Sequence, residues 1–107
     1  MTIHRLDLDI AIYRDRVQVT HRTTRNFADQ PAEFGFSSAD SIVAHPRYLE
    51  DTIVRAIGKI LRQGGFEMRE PEAHVVSCET KLDTTERAVI EAALNEAGMR
   101  KVVFEID

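Results

Sequence analysis

The last third of the chain constrains its fold more than any other stretch. Residues 73–78 are a short apolar run, Ala-His-Val-Val-Ser-Cys, and a polar turn follows. Asp83 stands three residues before Glu86, the spacing of a helix capping box with Asp in the cap position. Behind it Val89, Ile90, Ala93, Leu94 and Ala97 recur at helical spacing, and Gly98 supplies the stop. A second apolar run at 101–106 closes the unit. Strand, helix, strand in that order predicts two parallel strands joined by a right-handed crossover, and therefore an α/β domain.

The start of the chain reads as sheet. Leu6, Leu8, Ile10 and Ile12 alternate with Asp7, Asp9, Ala11 and Tyr13, the period of a strand with one apolar face. Arg14-Asp15-Arg16 makes a polar turn, and Val17 and Val19 carry the alternation to about His21, so residues 3–22 predict a β-hairpin. Residues 23–32 are polar and include Pro31, and they read as a loop. Residues 33–36 predict a weak third strand whose Phe34 and Phe36 pack inward, and residues 37–41 a further loop.

Pro46 suits the first turn of a helix, where its missing N–H is not needed. Leu49, Ile53, Ala56, Ile57, Ile60 and Leu61 then form one apolar stripe, predicting a helix over about 46–63 that ends at Gly64-Gly65. Gly58 within it reads either as a close-approach site or as a solvent-side position. The second helix spans about 84–97, and its small alanines let it lie close on a sheet. The element order is βββαβαβ: one domain over residues 1–107, with a mixed five-stranded sheet and helices covering one or both of its faces.

Composition narrows the classes of function. The 107 residues are 43% hydrophobic and 30% charged, ordinary for a soluble globular domain. A net charge of −4 disfavours general binding to nucleic acid or anionic membranes. The single Cys excludes an intrachain disulfide and suits a reducing cytosol. No apolar run reaches the ~18–20 residues that span a bilayer, and no signal-peptide core opens the chain. The expectation is a cytoplasmic protein.

Several segments resemble the bacterial actin MreB family of rod-shape-determining proteins. These are residues 75–79 (Val-Val-Ser-Cys-Glu), the helix start Thr84-Thr85-Glu86-Arg87-Ala88, the ending Glu96-Ala97-Gly98-Met99, and the strand start Lys101-Val102-Val103-Phe104. His45-Pro46-Arg47 also leads into residues 48–61 as the family's first long helix would begin. The resemblance covers about two thirds of the chain, with the N-terminal hairpin matching in outline. It implies the actin-like, ribonuclease-H-like fold and a cytoskeletal role through contacts with a protein partner or with copies of itself. In that family a glycine-bearing hairpin turn grips phosphate, because glycine lets backbone N–H groups come close. Here no Gly precedes Gly35 and the first turn is Arg14-Asp15-Arg16. The family's second phosphate loop and adenosine pocket belong to a later domain, and its next segment lies past Asp107. The resemblance therefore implies a degenerate first subdomain without ATPase activity of its own. No cofactor is expected, and ATP with Mg²⁺ only if nucleotide binding survives.

Candidate chemistry is sparse. Asp7 and Asp9 share one face of the first strand, and in ribonuclease-H-like nucleases carboxylates so placed converge on Mg²⁺ with others from the first long helix and the end of a later strand. Glu50 or Asp51 and Glu79 occupy such places, so Asp7, Asp9 and Glu79 are the catalytic set of the alternative reading, a small Mg²⁺-dependent nuclease or phosphotransferase. The plain alternative makes Asp7 and Asp9 the solvated face of an edge strand. Cys78 reads as a partly buried structural thiol, and the four His show no metal-ligand spacing, His45 leading into a helix. Arg14, Arg16, Arg22 and Arg25, with His21, form the one basic cluster; it reads as a partner-binding surface or as a charged edge that blocks strand pairing.

Overall fold

The computed structural model describes residues 3–106. Its elements run β1 (His4–Tyr13), β2 (Arg16–His21), β3 (Phe27–Pro31), α1 (Pro46–Leu61), β4 (Phe66–Cys78), α2 (Thr84–Glu96) and β5 (Lys101–Phe104). The βββαβαβ order, the mixed five-stranded sheet and the two helices stand as the sequence predicts. In space the strands lie β3-β2-β1-β4-β5. β2 is antiparallel to β1 and to β3, whereas β1, β4 and β5 run parallel.

The core follows from the alternation of β1. Leu6, Leu8, Ile10 and Ile12 are fully buried, and Val17 and Val19 of β2 join them on the same face. α1 brings Leu49, Ile53, Ala56 and Ile60 to that face, and α2 brings Ile90, Ala93 and Leu94. Each of the Leu, Ile and Val side chains among them contributes ~1.5–3 kcal/mol by leaving water. Both helices share this one core, and the opposite face of the sheet carries polar, half-buried residues. On α2 the alanines divide: Ala93 is buried, while Ala88 and Ala92 are exposed along a depression beside the start of α1.

Helix ends behave as their residues dictate. Asp83 accepts from the Glu86 N–H at 2.7 Å and the Glu86 carboxylate accepts from the Asp83 N–H at 3.1 Å, completing the capping box. Gly98 takes φ 111° just past the end of α2, and Gly64 takes φ 80° beyond α1, conformations that a Cβ would strain. His45 leads into α1 by its backbone, its carbonyl accepting from the Tyr48 and Leu49 N–H groups.

Four expectations need correction. The third strand is Phe27–Pro31, inside the stretch that reads as a loop, and residues 33–36 are not a strand. β3 hides from a pattern search because Ala28 is its one buried residue. Its Pro31 is tolerated because it ends an edge strand. Phe34 and Phe36 part company: Phe36 is fully buried, whereas Phe34 is 56% exposed and rests on Tyr48. β4 begins at Phe66 rather than at 73, since a bulge absorbs the charged run and Pro71. There Arg5 pairs with Glu67 but Asp7 pairs with Glu72, and Glu70 takes φ 48° in between. β5 ends at Phe104 rather than at 106, although the Glu105 N–H still donates to the Val75 carbonyl.

Gly58 is a solvent-side position. A Cβ there would meet only the tip of Arg62, 3.8 Å away. Gly58→Ala should therefore stabilise the protein by about 1 kcal/mol, the helix-propensity difference, in urea unfolding. A loss of stability would mean that α1 needs the glycine for a contact.

Candidate functional site

The open face of the sheet gathers the charged residues. β1 is the central strand, so Asp7 and Asp9 do not line an edge. Cross-strand register sets Asp7 beside Glu72, and Glu72 beside Lys101; it sets Asp9 beside His74, and His74 beside Val103. Residues of equal parity thus project together from three parallel strands.

These side chains form one connected network. The Arg22 Nε donates to Asp9 Oδ1, and its Nη2 donates to Glu105 Oε1 at 2.6 Å. His74 Nδ1 lies 2.9 Å from the other Glu105 oxygen, and its Nε2 lies 3.4 Å from Glu72. Arg5 Nη2 reaches Glu72 at 2.9 Å and the Glu70 carbonyl at 3.1 Å, with its Nε 3.5 Å from Asp7. The network joins β1, the end of β2, β4 and the segment after β5. Half-exposed pairs of this kind contribute little singly, ~0–1 kcal/mol each. Their joint effect is to fix the relative positions of the strands. His21, wholly buried on the other side of β1, adds a neutral tie. Its Nδ1 accepts the Thr24 N–H at 3.1 Å, so Nε2 carries the hydrogen and donates to the Arg5 carbonyl at 2.7 Å.

The catalytic set of the alternative reading is not brought together. Asp9 is held by Arg22, and Asp7 lies beside Arg5. Glu79 sits past Ile12, whose carbonyl accepts its N–H, three residues or about 10 Å along β1 from Asp9. Glu79 there faces Arg14, with its Oε2 3.9 Å from the guanidinium Nε. On α1, Asp51 pairs with Arg55 along the exposed side, and Glu50 borders the depression between the helices. Among the described residues no three His, Cys, Asp or Glu side chains are grouped so as to hold a metal ion. Cys78 is a half-buried free thiol.

The arginines of the basic cluster separate to opposite ends of β2. Arg22 belongs to the open-face network, and Arg25 takes φ 67° in the β2–β3 turn. Arg14 and Arg16 sit at the hairpin end, on a depression of about 470 Å³ that Tyr13, Gln18, Pro31 and Glu79 also line. Arg14 Nη1 donates to the Ser38 carbonyl at 2.7 Å, and Arg16 lies 3.6 Å from Asp29. The hairpin turn itself is occupied. The Asp15 N–H donates to Ser37 Oγ at 3.1 Å, and the Arg14 N–H donates to the Glu79 carboxylate at 3.4 Å. The Asp15 carboxylate accepts in return from the Ser37 N–H at 2.8 Å.

Sequence reasoning singles out neither the roles of Arg5, Glu72, His74 and Glu105 nor that of Ser37. The signal for the first four is parity, which aligns them with Asp7 and Asp9 only once the strand order is known. Ser37 is 22 positions from Asp15, and no local pattern marks the pair.

No protein-family model matches the chain, and no curated protein shows significant similarity to it. No helix among the described residues is long and apolar enough to cross a membrane.

The network makes a prediction in acid. The hydrogen bond from Arg22, assisted by that from His74, holds the Glu105 carboxyl below its ordinary value of 4.5, while Asp9 foremost raises the Arg22 guanidinium. A carboxylate with a depressed folded pKa adds stability above its unfolded value and loses it as pH falls through the folded one. Wild type should therefore lose, below pH 4.5, a contribution that Glu105→Gln lacks at every pH. Thermal midpoints of the two proteins should converge on acidification, and a gap independent of pH would show that the ionised Glu105 carboxylate adds nothing.

Proposed function

We propose that the chain is a non-catalytic module of actin-like, ribonuclease-H-like topology, related to the MreB rod-shape proteins, that works through protein contacts in the cytoplasm. The observation that carries this reading is the β1–β2 turn. A phosphate grip there requires backbone N–H groups that point outward and are free. Here the Arg14 and Asp15 N–H groups are used by Glu79 and Ser37, and the carboxylates of Glu79 and Asp15 lie beside them. An approaching phosphate would meet negative charge where it needs donors. The βββαβαβ order supports the fold reading. The pairing of Asp9 with Arg22, and the placing of Glu79 beside Arg14, favour contact over metal-dependent hydrolysis. Of the basic cluster, Arg14 and Arg16 stay together at the hairpin end, where a partner's carboxylate would compete with Glu79 and Asp29 for them.

A thermal-shift titration with ATP and Mg²⁺, separately and together, tests the reading. A ligand at 100 times its Kd would add roughly 2.7 kcal/mol, which for a domain this small raises Tm by roughly 10 °C. No shift is expected from either or both. A shift that needs both ligands would restore nucleotide binding, and a shift with Mg²⁺ alone would restore the carboxylate site.

A further inference from the structure

The two edges of the sheet are finished differently. At β3 the strand ends in Pro31, Lys59 Nζ of α1 donates to the Asp29 carbonyl at 2.9 Å, and α1 packs alongside. These are protections of the kind that keep an edge from pairing. β5, at the other edge, has no proline and no bulge, and its cover is limited to Arg87 of α2, which lies over the Phe104 ring and reaches the Ile106 carbonyl just past the strand. The Glu105 N–H points at β4, where it donates to Val75, while the Ile106 carbonyl points away and accepts from Arg87 at 3.4 Å. Backbone direction alternates along a strand. Val102 and Phe104 therefore turn their N–H and C=O groups outward from the sheet, toward no other strand.

The sequence of this edge is complementary to itself. Residues 101–105 read Lys-Val-Val-Phe-Glu, with a cation at one end and an anion at the other. We propose that β5 pairs antiparallel with β5 of a second copy of this chain, about a two-fold axis at Val103. In that register Val102 of one copy faces Phe104 of its partner, and both have their hydrogen-bonding groups turned outward. Lys101 faces Glu105, twice by symmetry, and Val103 faces Val103. A slip of one residue would set outward groups against inward ones and would break the charge match. Lys101 is 64% exposed and Glu105 39%, so the Lys101 ammonium of one copy would add to the Arg22 and His74 contacts that Glu105 already makes within the other. The inference rests on the protein-contact reading and names its partner as the chain itself. A four-residue edge buries less than the ~1,000 Å² of a durable interface, so the dimer is weak and forms at high protein concentration.

Sedimentation velocity over a concentration series should show a reversible shift from monomer to dimer. Lys101→Glu sets like charges opposite each other in the pair, and should weaken association about tenfold. The register has its own test. Across a non-hydrogen-bonded antiparallel pair the Cα atoms lie about 4.5 Å apart, within disulfide range. Val103→Cys in a Cys78→Ser background should form a covalent dimer on mild oxidation. Val54→Cys in the same background, exposed on α1, should not. Sedimentation as a monomer at every concentration, or equal cross-linking by the two cysteines, would overturn the proposal. Neither result bears on the ATP and Mg²⁺ titration, so the self-pairing and the contact-module reading can fail separately.

Discussion

The structure depends on the one-sided burial of its central strand. β1 has neighbours on both sides, so its register is set twice, antiparallel against β2 and parallel against β4. Leu6, Leu8, Ile10 and Ile12 all face the helices. A slip of one residue would put four buried aliphatic side chains into water and Asp7 and Asp9 into the core, which no arrangement of the helices could offset. With β1 so fixed, the remaining choices narrow. α1 must bring its stripe to the face that β1 defines, and α2 must return to the same face so that Ile90 and Leu94 join the same core.

The polar face follows from the same alternation. If every second residue of β1 is aliphatic and buried, the others come to lie on the uncovered side, beside their counterparts from β4 and β5. Asp7 and Asp9 would repel each other and Glu72 if left alone. Arg5 and Arg22 sit among them, and His74 bridges Glu72 and Glu105. Charges of both signs are interleaved across the strands. Among the described residues, both helices lie on one face of the sheet and the interleaved charges on the other.

Legibility in the sequence varied with how local the signal was. The capping box of Asp83 and Glu86, the stop at Gly98 and the stripe of α1 each depend on residues within a turn or two, and all three were readable. β1 was readable because four consecutive odd–even pairs obey one rule. β3 was not, because Ala28 alone packs inward and the strand exists only by pairing with β2. The start of β4 was hidden for a different reason. Pro71 and the charges around it argue against a strand, and only the bulge opposite Leu6 makes room for them. The site was less legible than the fold. That Arg22 meets Asp9 and Glu105, 13 and 83 positions away, is a property of strand order and has no local signature.

The residues that invite a catalytic reading are those that the fold uses most. Asp9 would need to be free to meet a metal, yet it anchors the chain after β2 through Arg22. Glu79 would need to face Asp9, yet it lies at the level of Ile12 beside the Arg14 N–H and guanidinium. Asp15 stands where a glycine would open the turn. It takes φ 52°, a conformation that glycine adopts freely and Asp tolerates, and it spends its carboxylate and N–H on Ser37. Gly35 belongs to the same clasp, because a Cβ there would approach Asp15 Oδ1 to 3.2 Å. The glycine nearest the hairpin end thus makes room for a carboxylate. In a phosphate loop it would make room for a phosphate. Asp15→Gly would remove one carboxylate and its hold on the Ser37 N–H, but the backbone N–H groups of residues 14 and 15 would still face Glu79 and Ser37, so one substitution would not turn this hairpin into a phosphate grip.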